Sequence, residues 1–488
     1  MSKSIKLNMV YKTILNILNI IFPLITAPYI ARVLSIDGFT EYNRAVSILS
    51  WLSPFAVFGV YTYGLRSISQ IRDNKKSVEK LFTSLFIISA FFSILFTIIY
   101  FILIFTNDSF KSHIGIYFFA SGQLIFTCFA TDWMNEASEN YGFITIKSFV
   151  CRLLFVISVF CFIKSPGDAW LYMLFSTLSV LLNNTFTFIF NKMHFSFTKV
   201  SFHEIISLLK PLFIVFILVN SSLLYTVLDR FFLTYFSDKL QLTYYHLSQV
   251  ISNCIFQVTS SVILVSVPRL SYLWANNDSK NYYDLLQKSS SLFLSLCFPC
   301  CIGVAILAPE ILYIYAGEKF FSGNIVLFLF AIYNFIGTFD TIYSKQVLLA
   351  TGNEACLTRI YYTGGILNLI FKIILLRTDN LTAESCIIST MVADITIEIL
   401  QIIETKKKGI RNVVLNKTLI VPFVTSLLFI PIILCVKQFF YSMSMYDVLM
   451  KCVLSILICS VLYLTMLFLT KNPSLNFLLK GKKNESNF

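Results

Sequence analysis

The sequence predicts an all-α integral membrane protein of about fourteen transmembrane helices, and three observations predict it. Hydrophobic residues make up 57% of the chain and charged residues only 13%, whereas a soluble domain carries roughly 25% charged residues. Apolar stretches long enough to cross a bilayer, about 20 residues each, recur along the whole length. The short segments between them are basic on alternate sides. The net charge of +13 therefore reads as membrane topology, and no nucleic-acid partner is expected.

The stretches lie near 9–31, 43–64, 82–105, 114–131, 148–164, 168–190, 208–229, 243–267, 288–308, 323–343, 357–376, 384–404, 417–436 and 447–470. The fifth and sixth are separated only by the turn Ser165-Pro166-Gly167-Asp168. With a cytoplasmic N-terminus, the inner segments hold most of the basic residues, among them Arg72, Lys75, Lys76, Lys406, Lys407, Lys408 and Arg411. The outer segments hold Arg32, Lys111, Lys164, Arg230, Lys239, Lys319, Arg377 and Lys437. That bias, roughly three to one, orients a multi-spanning chain. It places both termini of a multi-pass protein in the cytoplasm.

Tyr42 and Arg66 bracket the second stretch at the same spacing as Tyr245 and Arg269 bracket the eighth. An offset of six helices suits two parallel halves. The expected organisation is a six-helix lobe over 1–195, a second over 205–405, two additional transmembrane helices over 415–470 and a basic cytoplasmic tail over 471–488. The lobes are expected to be two bundles around a central cavity. All loops are short, which removes the obvious place for a folded catalytic module. The twelve cysteines lie mostly in apolar runs and read as small apolar filler. No metal ligands, cofactor or cleavable leader are expected.

Polar residues inside the stretches carry the functional signal, because a charge at the centre of a membrane helix costs about 2.5–3.5 kcal/mol on insertion scales. Lys12, Asn16, Asn19, Pro23 and Thr26 recur every three to four residues and share one helix face. Tyr245, Gln249, Asn253 and Gln257 do the same in the eighth stretch. Arg32, Arg44, Arg152, Asp229, Asn368 and Lys372 complete the expected lining of a wet, partly cationic cavity. Guanidinium and ammonium groups there suit an anionic substrate such as a diphosphate. Asp229, Asp394 and Glu398 are candidates for proton or sodium coupling. The competing structural account is that Lys12 and Arg44 snorkel to the interface and that Asp394 and Glu398 pair with Lys372 as a buried network.

Five ordered motifs carry a family resemblance. They are FPLITAPYIAR over 22–32, Tyr63-Gly64-Leu65-Arg66-Ser67-Ile68 with Arg72-Asp73, Asp132-Trp133 with Glu139-Asn140-Tyr141 and Ile144-Thr145-Ile146-Lys147, Tyr225-Thr226-Val227-Leu228-Asp229-Arg230, and Val267-Pro268-Arg269-Leu270-Ser271. Together they span roughly residues 8 to 355. In this the chain resembles the Wzx-type polysaccharide-repeat flippases of the multidrug/oligosaccharidyl-lipid/polysaccharide exporter superfamily. One departure is the glycine-rich turn after the first helix, where Ser35 and Thr40 stand in glycine positions.

The resemblance implies alternating access and a substrate of undecaprenyl-diphosphate carrying an oligosaccharide repeat, moved from the cytoplasmic to the outer leaflet. It implies membrane lipids, and polymerase and chain-length proteins of a surface-polysaccharide pathway, as partners. A multidrug or cation exporter of the same superfamily is the first alternative, and Asp229, Asp394 and Glu398 would suit it. A membrane glycan polymerase or ligase is the second, and lacks a sizeable outer loop to display an acid–base site. A reporter that folds only outside the cell, fused after Phe488, should be inactive; an active fusion would reverse the expected topology.

Overall fold

The computed structural model describes residues 5–220, 227–411, 413–414, 416–440 and 444–473. These residues are helical, with no strand among them. Among the described residues, twelve helical spans are long and apolar enough to cross a membrane, and they match twelve of the expected stretches one for one. The two others are the seventh and eighth. The seventh falls partly on residues 221–226, outside the described residues. The eighth is helical throughout, and several of its side chains lie outside the described residues.

The chain divides into two compact units, Met1–Leu223 and Leu224–Phe488. The expected lobe boundary lay earlier, between 195 and 205. The first unit holds α1 (Ile5–Val33), α2 (Ile36–Val57), α3 (Val60–Ile71), α4 (Lys75–Thr106), α5 (Ile114–Ile125), α6 (Asp132–Ala137), α7 (Tyr141–Phe162), α8 (Ala169–His194) and α9 (Phe202–Val219). Helix α9 packs on α3 and α4, which is why it belongs to this unit. Its N-terminus is closed by a capping box between Ser201 and Glu204. Ser35 has a local role of its own: its hydroxyl oxygen accepts from the Gly38 amide at 3.1 Å and caps α2. That accounts for serine where the resemblance expects glycine.

Helix α4 shows the membrane-protein inversion. Phe91, Ile94, Ile98, Ile102 and Phe105 are exposed, while Ser89, Ser93, Thr97 and Tyr100 are buried. Lipid gives no reason to bury apolar side chains, so small and polar residues take the helix contacts and apolar ones face outward. Two of the buried hydroxyls are satisfied by carbonyls: Thr97 donates to the Ser93 carbonyl at 2.7 Å, and Tyr100 to the Tyr117 carbonyl at 2.9 Å.

The second unit holds α10 (Leu228–Phe236), α11 (Lys239–Ala275), α12 (Ser279–Ile306), α13 (Ala308–Ala316), α14 (Asn324–Thr341), α15 (Glu354–Arg377) and α16 (Ala383–Lys407). Helices α11, α12 and α14 pack on one another, and α16 packs on α14 and α15. A π-helical segment, Ile342–Leu349, continues α14. The last helices are α17 (Ile420–Leu427), α18 (Phe429–Gln438) and α19 (Met445–Leu469). Pro431 separates α17 from α18, because its ring clashes with the carbonyl four residues back, at Leu427. These helices dock on the second unit through Phe429, Ile433, Cys459 and Tyr463. An ion pair from Lys437 to Glu310 at 2.8 Å fixes them further. The tail beyond Pro473 lies outside the described residues.

Between α2 and α3 the chain turns at Gly59, whose φ is +74°. A Cβ there would lie 2.8 Å from the Leu212 carbonyl oxygen of α9. Gly59→Val should therefore lower the thermal unfolding midpoint of the detergent-purified protein, since the left-handed conformation alone costs roughly 1–2 kcal/mol. Gly337→Ala, a site where nothing lies within 4 Å of the added carbon, should leave the midpoint unchanged or raise it. Equal losses in both variants would contradict this account.

Candidate functional site

The second unit is built around an ion pair. Asp229 on α10 and Lys372 on α15 meet at 2.8 Å, and both side chains are fully buried. The Lys372 ammonium also donates to the Cys386 carbonyl at 2.6 Å, to Ser389 Oγ at 2.6 Å and to Thr390 Oγ1 at 3.2 Å, all on α16. Asp229 Oδ2 accepts from the Tyr245 hydroxyl at 2.8 Å and from Thr390 Oγ1 at 2.7 Å. Asn368, one turn before Lys372 and buried, places its amide oxygen 3.4 Å from Thr390 Oγ1. A buried ion pair persists only when further hydrogen bonds satisfy the remaining lone pairs and protons, and this shell does so. Asp229 and Lys372 thus cancel each other's charge. The expected partners of Lys372, Asp394 and Glu398, lie elsewhere.

Those two carboxylates gather with a third that the sequence reading passed over. Asp340 near the end of α14 accepts from Gln401 Nε2 at 2.7 Å and lies 3.3 Å from the Tyr361 hydroxyl. Tyr333 bonds Asp394, and both Asp394 and Glu398 lie within electrostatic reach of Asp340. Asp340 was visible as an acid inside an apolar stretch, the signal that singled out Asp394.

The expected stripe on α11 divides in two. Tyr245 is engaged with Asp229, and Gln249 Oε1 accepts from Arg230 Nε at 2.7 Å and again from a terminal nitrogen of the same guanidinium. Asn253 and Gln257 are exposed. Gln249 is a neutral acceptor, so Arg230 keeps its full charge.

In the first unit, Asn16 and Asn19 are exposed, whereas Thr26 is buried and donates to the Phe22 carbonyl at 3.1 Å. The side chain of Lys12 lies outside the described residues. Arg152, midway along α7, faces α1 and meets the Leu18 carbonyl at 3.5 Å. That partner is also uncharged. Arg32 is exposed at the end of α1. Arg44 is buried, pairs with Glu41 at 3.2 Å, donates to Ser109 Oγ at 3.3 Å and stacks 4.5 Å over Phe110. Glu41, fully buried, also accepts from the Tyr117 hydroxyl. The i,i+3 spacing of Glu41 and Arg44 was the available clue. Lys147 and Asp132, both within the family-like motifs, pair at 2.7 Å and meet Thr187.

The chemistry follows from this sorting. Arg44, Lys147 and Lys372 have carboxylate partners and hold helices together. Arg152 and Arg230 are bound instead to neutral oxygens. Replacing Lys372 by Met should cost about 3–5 kcal/mol of stability, because it strands a buried carboxylate. Adding Asp229→Asn to that variant should recover much of the loss in thermal unfolding. A double variant as unstable as the sum of its singles would contradict the pairing.

Comparison with known proteins supplies the family. The family described as "Polysaccharide biosynthesis protein" matches residues 5–274. A protein of Escherichia coli (strain K12) named "Putative O-antigen transporter" is 21% identical over 399 residues, covering 80% of this chain and 95% of that one. Its namesake in Shigella dysenteriae is 23% identical, covering 72% and 88%. Among solved structures, the lipid II flippase MurJ superposes with a TM-score of 0.71 at 16% identity, over 94% of this chain and 97% of that one. A multidrug resistance MATE transporter of the MOP superfamily superposes with a TM-score of 0.57 at 11% identity, over 83% and 99%. These neighbours show the fold, and the expectation of a transporter rather than an enzyme stands on the named relatives. The chain belongs to the polysaccharide biosynthesis protein family and has the fold of the membrane transporters of the MOP superfamily.

Proposed function

We propose that this protein is a flippase that carries an undecaprenyl-diphosphate-linked oligosaccharide repeat from the cytoplasmic to the outer leaflet of the bacterial plasma membrane. The cargo feeds assembly of a surface polysaccharide, whether capsule, O-antigen or exopolysaccharide, and the cycle is one of alternating access. The family match and the named O-antigen transporters support the substrate class. The observation that carries the reading is the state of Arg152 and Arg230: each is a guanidinium held by neutral oxygens, so each retains charge for a diphosphate. Guanidinium binds phosphate oxygens through paired, charge-assisted hydrogen bonds. Polymerase and chain-length proteins of the same pathway are the natural partners of such a cargo, and both termini face the cytoplasm.

Deleting the gene should abolish the surface glycan and leave lipid-linked repeat accumulating on the cytoplasmic side. Arg152→Ala and Arg230→Ala should each lower flipping about ten- to a hundred-fold, corresponding to one lost charge-assisted contact of about 1.5–3 kcal/mol. Lysine at either position should restore only part of it. Normal surface glycan in the deletion strain, with lost export of cationic dyes, would assign the protein to drug export instead.

A further inference from the structure

The acidic group of the second unit holds an unfilled hydrogen-bonding demand. Glu398 and Gln401 stand one turn apart on the same face of α16. Gln401 is fully buried, and its amide nitrogen is aimed at Asp340 at 2.7 Å. Among the described residues its amide oxygen has no hydrogen-bond partner, and neither does Glu398 Oε1, although both atoms are shielded from solvent. Two neighbouring orphan acceptors are costly in a dry interior. A hydrogen shared between them would satisfy both at once.

We infer that Glu398 is the proton-binding residue of this protein, its carboxyl O–H donating to the Gln401 amide oxygen beside the carboxylates of Asp340 and Asp394. The surrounding groups select a proton over a metal cation. Tyr361 and Gln401 donate to Asp340, and Tyr333 bonds Asp394, so neutral donors occupy the lone pairs that a cation would need. Among the described residues no three His, Cys, Asp or Glu side chains converge as a metal shell. The charged groups facing the site from the packed elements are Asp340 from α14, Lys345 from the π-helical segment and Asp394 from α16 itself. Asp229 on α10 is already cancelled by Lys372. Among the described residues, Lys345 is the cation that acts on Asp340. Three ionised carboxylates facing this one ammonium would leave an excess of negative charge, which favours protonation among them.

The site lies within α14, its π-helical continuation and α16. A π-helical turn often marks a functional position in a helix. Glu398 loading and unloading would therefore couple the transport cycle to the proton gradient. That coupling rests on the flippase reading, whereas proton binding itself does not.

Infrared spectroscopy of the detergent-purified full-length chain tests the binding without any transported substrate. At neutral pH the wild type should show the carbonyl absorbance of one protonated carboxyl, lost in Glu398→Gln, retained in Asp394→Asn and unaffected by exchanging potassium for sodium. In the wild type alone, that absorbance should disappear on alkaline titration, which keeps the test decisive should Glu398→Gln fail to fold. A wild type without the band, a band surviving in Glu398→Gln, or a band abolished by sodium would each overturn the assignment. Flipping that fails in wild-type vesicles while the band behaves as expected would refute the transport reading and leave the proton site standing.

Discussion

The ion pair of Asp229 and Lys372 exposes the constraint on which the second unit depends: a charge placed at membrane depth must find its counter-charge and its hydrogen bonds within the protein. Three helices converge on this one contact. Helix α10 supplies the carboxylate, α15 the ammonium, and α16 a carbonyl and two hydroxyls. Removing any member leaves a desolvated charge, and a stranded buried charge costs far more than the intact pair contributes. The same rule orders the first unit, where Glu41 and Arg44 hold α2 to α5 through Tyr117, and Lys147 and Asp132 join α6 to α7 and α8.

Against that background the exceptions carry the functional meaning. Arg152 and Arg230 are charged groups whose partners are a carbonyl and an amide. Asp340 and Asp394 are carboxylates attended by neutral donors, and Glu398 stands within electrostatic reach of both. On the proposed function the first set would meet an anion, and on the further inference the second would hold a proton. An exporter of organic cations would be served by the acids and hindered by the arginines. A carrier of a diphosphate-linked lipid has a use for both.

The fold was legible because hydropathy is a local property. Each run of about 20 apolar residues reports its own insertion regardless of what it packs against, and twelve expected runs reappear as helices. The motif order likewise anticipated the family. Partnership was not legible, because it depends on which helix faces are brought together. Lys372 has acids at many possible distances along the chain, and nothing local selects Asp229 over Asp394. Arg44 looked free to reach the interface, yet Glu41 lies one turn away and Tyr117 closes the network. The residues of the stripe on α11 meet different surroundings along its length, so Gln249 is bound and Asn253 exposed. Asp340 was missed although its neighbours Phe339 and Ile342 are apolar, which is the pattern that marks an intramembrane acid.

The most direct test of the account is leaflet transfer of a defined cargo in vesicles containing only this protein. Undecaprenyl diphosphate bearing a short labelled oligosaccharide would be placed in the inner leaflet, and its arrival outside read by cleavage with an added glycosidase. Transfer well above protein-free vesicles, and much faster than for the same lipid with its diphosphate replaced by an uncharged linker, is the predicted result. Equal rates for the charged and uncharged lipids, or none above background, would contradict it.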